Sequence, residues 1–261
     1  MESNTTSIEY RPGSSTAAAP VQQILRQTLF ELLLTLRRGE NILVTLLVPV
    51  ALLIFFASLN IAPAVNGSAI NFLLPGILAL AIIAAGMVNL GIATAYERYY
   101  GVLKRLGSSP LSRGGLIMAK VISILLLEII QVLLLVGVAV ALYGWRPAGS
   151  AGLALLVIAL GTVTFSALGL AMAGALRAEL TLGGANALFL LFMLIGGGIL
   201  PLDHLPGPLA DVAQILPAAA LTQALQASMT SGTAFPTFPL ITLAVWAIII
   251  LLVAIRTFKW E

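Results

Sequence analysis

Long stretches almost free of charge dominate this sequence, and they leave it few possible folds. Ile42 to Leu59, Phe72 to Ala95, Leu116 to Leu142, Leu153 to Ala175, Gly184 to Leu200 and Pro239 to Ile255 are each near or above the ~17–25 residues that a helix needs to cross ~30 Å of hydrocarbon. A backbone in lipid must satisfy its own hydrogen bonds, and these continuous runs lack the alternation of a barrel strand, so helices are the form left to them. Only 9% of residues are charged and 60% are hydrophobic, far from the usual balance of a soluble domain. The expected fold is an all-α membrane protein with six transmembrane helices. Pro49 and Pro75 fall inside or near the start of spans, where a kink is tolerated.

The remaining charge sets orientation. Arg11, Arg26, Arg37 and Arg38 precede the first span. Arg98, Lys104, Arg105, Arg113 and Lys120 border the second connection, Arg177 sits in the fourth, and Arg256 and Lys259 close the chain, whereas the other connections hold only Arg146. The positive-inside rule then puts both termini in the cytoplasm, which six spans also require. The net charge of +3 is therefore topological information, and no nucleic-acid partner is expected.

Residues 1–20 read as a disordered cytoplasmic leader, since they lack the basic and apolar regions of a cleavable signal peptide. Residues 21–38 read as an amphipathic interface helix: Val21, Ile24, Leu25, Leu29, Leu32, Leu33 and Leu36 recur at three- and four-residue spacing, with Gln22, Gln23, Arg26, Gln27 and Glu31 largely elsewhere. That pattern suits the membrane surface, with Arg37 and Arg38 reaching anionic headgroups. It also suits packing against protein.

The connection from Glu97 to Arg113 is dense in charge, places Val102, Leu103 and Leu106 on one helical face, and ends in Gly107 and Pro110. A tether needs none of this, so the segment reads as a docking helix for a cytoplasmic partner. In the spans, Glu128 is the most unusual residue. A charged carboxylate at mid-bilayer costs about 3 kcal/mol or more, so it faces protein. Either it lines a translocation path together with Gln131, Asn89 and Asn186, or it makes an interhelical hydrogen bond to Asn89, Thr162 or Asn186.

Several chemistries are excluded or disfavoured. There is no cysteine, and His204 is the only histidine, so thiolate and His-rich metal sites cannot form. Asp203, His204 and Asp211 read as solvated loop residues. None of Lys104, Lys120 and Lys259 follows a glycine, so there is no phosphate-binding Walker loop. The chain is expected to bind no cofactor and to be no enzyme.

Glu97-Arg98, Gly101, Leu103, Leu106, Ser109-Pro110 and Lys120 together resemble the pattern that bacterial ABC-2 type transporter permeases carry between their second and third spans. The resemblance extends to the polar helix before the first span, to six spans in total, and to a segment before the last span: Pro201 to Pro206, Leu216-Pro217 and Leu221 to Met229. It covers nearly the whole chain, with residues 39–261 as the transmembrane domain, and the drug-resistance exporters of the daunorubicin type are the most similar subgroup. Tyr99, Tyr100 and Gly107 depart from the family pattern. The resemblance implies that Glu97, Arg98, Gly101, Leu103, Lys104, Arg105, Leu106 and Pro110 couple the spans to an ABC ATPase subunit, which binds ATP and Mg. It also implies a second permease chain, identical or a close paralogue, and a hydrophobic or amphipathic cargo exported across the plasma (cytoplasmic) membrane. Short re-entrant helices around Pro201, Pro206 and Pro217 become an external gate. An ion-coupled transporter using Glu128, or a membrane assembly scaffold, are the alternatives.

Overall fold

The computed structural model describes residues 19–37, 39–59, 63–65, 67–108 and 111–258. The leader up to residue 18, and Arg38, Ser109, Pro110 and Lys259, lie outside the described residues.

Ten helices account for the described chain: α1 (Pro20–Arg37), α2 (Gly39–Leu59), α3 (Ile70–Tyr99), α4 (Val102–Gly107), α5 (Arg113–Tyr143), α6 (Ala151–Ala175), α7 (Ala178–Ile195), α8 (Gly207–Ile215), α9 (Pro217–Met229) and α10 (Thr237–Thr257). Five of them, α3, α5, α6, α7 and α10, are long and apolar enough to cross a bilayer. α2 covers the first expected span and holds a shorter apolar stretch, Leu43–Leu59. That stretch is about 26 Å long at ~1.5 Å per residue.

The fifth span differs from the sequence reading. It begins at Ala178 instead of Gly184 and ends at Ile195, before the glycines. Arg177 and Glu179 suggest a longer polar connection, but Leu176 and Arg177 alone separate α6 from α7. Arg177 takes an extended backbone and its carbonyl accepts from Thr181 N at 2.8 Å, which starts the new helix at once.

Close backbone contact between α3 and α6 organises the interior. Residues Ala84–Leu90 of α3 form a π-helical stretch, a wider turn that re-phases the residues after it. Gly86 and Gly91 of α3 meet Ser166 and Gly169 of α6 so closely that a Cβ on Gly91 would lie 2.9 Å from the Gly169 Cα. In lipid, where apolar burial drives helix association little, such small-residue seams let dispersion and weak polar contacts act at short range. Leu73, Leu74, Ile77, Leu78, Ile82, Phe165, Leu221 and Leu225 fill the space around this seam.

α9 is the least expected part of this core. Its 13 residues give only about 20 Å of helix, too short to cross, yet Pro217 to Thr222 are all buried. It packs against α3, α6 and α10, and Ser150 N at the start of α6 donates to Ser228 O near its end at 2.8 Å. Gly196 and Gly198 seat the chain against Ala218 of α9 and Gly76 of α3. α9 therefore lies at one end of the bundle and Glu97 at the other.

Gly169→Ala should push α3 away from α6 and lower the detergent melting temperature, because overpacking a tight contact costs about 1–3 kcal/mol. Gly137→Ala, where the added methyl meets nothing within 4 Å, should not. Equal melting temperatures for the two variants and the wild type would show that the seam is looser than described.

Candidate coupling knot and membrane pocket

α5 has 31 residues, roughly 46 Å at ~1.5 Å each, so its first turns extend beyond ~30 Å of hydrocarbon. Ser112 starts it, its hydroxyl accepting from Gly115 N at 3.0 Å. Two turns on, Lys120 is buried to 1% exposure. Its ammonium lies 3.0 Å from the Glu31 carboxylate of α1 and 2.8 Å from the Glu97 carboxylate of α3. Gln27 donates to Glu31 at 2.9 Å, and the Thr28 hydroxyl lies 3.4 Å from Ala119 O. A buried charge left unpaired is strongly destabilising, so Lys120 holds α1, α3 and α5 in one arrangement.

Arg98, the next residue, ties the same point to a fourth helix. Its Nη1 donates to Gly174 O at 2.7 Å and its Nη2 donates to Leu176 O. These are carbonyls at the C-terminal end of α6, which has no intrahelical donors for them and carries partial negative charge. Glu97 and Arg98, adjacent in sequence, thus clamp different neighbours.

The docking segment hangs directly from this clamp. Gly101 takes a left-handed backbone (φ 71°), which a side chain would strain, and so reverses the chain after Tyr100. α4 follows at once. Leu103 is its buried residue, at 1% exposure, set among Leu116, Ile117 and Val121 of α5. Leu106 packs at the edge of the same cluster, while Val102, Lys104 and Arg105 are exposed. Only Leu103 of the three predicted apolar positions points fully inward.

α1 turns the soluble-protein logic of amphipathicity around. Its polar stripe, Gln27, Thr28, Glu31 and Thr35, faces the bundle, whereas Val21, Leu25, Leu29, Leu33 and Leu36 are exposed. α1 packs against α5 on its polar face and leaves Leu25, Leu29, Leu33 and Leu36 exposed. Glu31, read as part of the polar face, becomes an interior ion partner that sequence reasoning did not single out.

Three of the four residues expected along a translocation path do meet. Asn89, Gln131 and Asn186 line a pocket of about 180 Å³ between α2, α3, α5 and α7, with Thr45, Val48, Leu80 and Phe189 around them. The Asn89 amide donates to Thr45 Oγ1 at 3.1 Å and the Gln131 amide donates to Thr45 O at 2.7 Å. Gln131 Oε1 is buried with no partner. Asn186 bonds its own helix, at Leu182 O, 2.8 Å away. Glu128 is not among the lining residues. At 1% exposure it accepts from the Thr162 hydroxyl of α6, the interhelical alternative given for it, and its Oε1 has no partner. A smaller cavity of about 60 Å³ lies beside Glu31, Glu97 and Lys120, room for a water or two but not for a drug-sized molecule.

At the far end, Pro201 precedes a short 3-10 turn (Leu202–His204), Pro206 caps α8, and Pro217 begins α9. Pro217 is buried, while Pro206 is exposed. Trp246 of α10 donates its indole N–H to Ile215 O at 2.8 Å, holding the end of α8 in place. Among the described residues no group of three or more His, Asp or Glu side chains is arranged to hold a metal ion.

Residues 22–230, from the first turn of α1 to the end of α9, match the family model described as ABC-2 type transporter. The chain belongs to the ABC-2 type transporter family. No curated protein matches it. As an ABC-2 membrane domain it is the permease component of an ABC transporter, a multi-pass membrane protein and not a catalytic domain, and membership implies association with ABC ATPase partners. The ABC-2 match includes the ion knot, the docking segment, the pocket and α9.

Lys120→Met leaves the buried Glu31 and the partly buried Glu97 without a counter-charge, and should destabilise the protein by about 3–5 kcal/mol. The neutral triple variant Glu31→Gln, Glu97→Gln, Lys120→Met should recover much of that loss. Thermal unfolding in one detergent compares them, and a triple variant no more stable than Lys120→Met would argue against an ionic knot.

Proposed function

We propose that this chain is the permease subunit of an ATP-driven exporter that moves a hydrophobic or amphipathic compound, such as a drug-like molecule, a lipid or a glycolipid, outward across the plasma membrane. ATP and Mg bind a separate ATPase subunit. Two permease chains, identical or close paralogues, form the pathway. α2 counts as the first of six spans, with both termini and the Glu97 end in the cytoplasm. The clustering of Arg98, Lys104, Arg105, Arg113 and Lys120 at that end supports this orientation.

The observation that carries the reading is the joint clamp of Glu97 and Arg98. A force on α4 arrives at a point already tied to α1 and α5 through Lys120, and to α6 through the Gly174 and Leu176 carbonyls. Closure of the ATPases on binding ATP displaces α4, and the spans tied to it shift between inward-open and outward-open forms. The pocket of Asn89, Gln131 and Asn186 then forms part of the route, being largely apolar with a few amides, as small-molecule sites commonly are. Glu128 acts as a structural tie between α5 and α6. Pro201, Pro206, Pro217 and the buried helix α9 form the external gate.

The test uses the permease co-expressed with an ABC ATPase subunit and purified in lipid nanodiscs. Leu103→Asp, which puts a charge into the cluster anchoring α4, and Arg105→Glu, on the exposed side, should each reduce ATPase co-purification or permease-stimulated ATP turnover at least several-fold. Both variants assembling and hydrolysing ATP as the wild type does would remove α4 as the docking element.

A further inference from the structure

A second and larger groove, of about 530 Å³, runs beside the docking turn. Asn89, Ala93 and Tyr96 step along one face of α3 at three- and four-residue spacing, Tyr100 continues the line just past its end, and Val102 of α4 closes the lower end. The stripe is about 16 Å long. Tyr96 and Tyr100 are stacked, with centroids 6.1 Å and planes 26° apart. Tyr99 meets both of them edge-on.

Electrostatics gives the groove a sign. Glu97 lines it, as one of two carboxylates sharing the single ammonium of Lys120, so the triad carries a formal charge of −1. The Lys120 side chain is 1% exposed and that of Glu97 is 16% exposed, so the groove meets the carboxylate and not the ammonium. Arg98 is turned away, its guanidinium held by the Gly174 and Leu176 carbonyls. Stacked phenol rings and the Glu97 carboxylate, the one charged side chain among the lining residues, both attract a cation, and Ile92, Ala93 and Val102 offer an apolar wall.

The groove also adjoins the pocket. Asn89 lines both, at the top of the tyrosine stripe and the bottom of the amide-lined space. The residues lining that pocket are all neutral, so a compact ammonium would lose its hydration there without compensation. A cation whose charge is spread over an apolar body loses less.

We propose that this groove is the vestibule through which a lipophilic organic monocation reaches the pocket, with Tyr96 and Tyr100 holding the cation and Glu97 balancing its charge. The inference rests on the pocket being part of the export route, and it names the class of cargo.

The experiment is equilibrium dialysis of tetraphenylphosphonium, and of tetraphenylborate as the anion of the same shape, against the purified permease in zwitterionic nanodiscs, with protein-free nanodiscs as blank. The cation should bind saturably and the anion should not. Tyr100→Ala should weaken cation binding about three- to tenfold, and Tyr100→Phe should stay within about twofold. Tyr100 is 69% exposed, so its truncation leaves the fold intact. No saturable binding of the cation, equal binding of the anion, or unchanged affinity in both Tyr96→Ala and Tyr100→Ala would overturn the proposal. The assay needs neither ATPase nor transport, so the two readings fail separately. Cation binding without ATP-driven movement of any compound would sink the exporter and leave the site. Movement of neutral compounds without cation binding would sink the site and leave the exporter.

Discussion

Lys120 sits at 1% exposure between two carboxylates on two other helices. Removing a charge from water is costly, and the cost is offset only while both partners stay close. Sliding of α1, α3 or α5 past the others would strip the ammonium of a counter-charge, so at this end of the bundle the three helices are constrained to move together or to exchange partners in a discrete step. That is the behaviour required of a bistable membrane body. Arg98 extends the constraint to α6, and Leu103 hangs α4 from the same place. Elsewhere the interior depends on small residues such as Gly86, Gly91 and Gly169, where close contact holds helices without fixing their charges.

The two ends of the bundle use different chemistry. The Glu97 end is ionic and carries the short exposed helix α4. At the α9 end, Pro217, alanines, glycines and a helix too short to span are buried among α3, α6 and α10, while Asp203 and Asp211 are exposed. A non-spanning helix survives at membrane depth because protein surrounds it on most sides. Between these ends lies an uncharged pocket with three amides.

Much of the fold was legible in the sequence because lipid makes stringent demands on it. Runs such as Leu116 to Leu142 and Leu153 to Ala175 admit little but helix, and the structure places helices on them with ends shifted by only a few residues. α7 starts six residues before the expected span, at Ala178 and not Gly184, because a two-residue turn is enough when Arg177 is extended. The π-helical stretch Ala84–Leu90 left no periodic signature among residues that are nearly all apolar. At the knot, the Glu97-Arg98 pair and Lys120 stood out, but their pairing did not, since contacts between residues 89 or 23 positions apart are not written in local spacing. Glu31 was hidden by a rule from soluble proteins, in which polar stripes face outward. In α1 the polar stripe faces the bundle and the leucines face away. Asn89, Gln131 and Asn186 were picked as polar residues in apolar runs, and their convergence on one pocket follows only from how α2, α3, α5 and α7 pack.

The most direct test of rigid coupling at the knot is pulsed electron–electron distance measurement on the complex of the permease, which has no native cysteine, with a cysteine-free ATPase variant in nanodiscs. Spin labels on Ser108→Cys at the end of α4 and Val21→Cys at the start of α1 should keep one distance with and without a non-hydrolysable ATP analogue. The distance from Ser108→Cys to Phe235→Cys, at the other end of the protein, should change by several ångströms. A changed distance for the first pair with no change in the second would mean that α4 moves by itself, and that nucleotide binding does not reach the spans through Lys120.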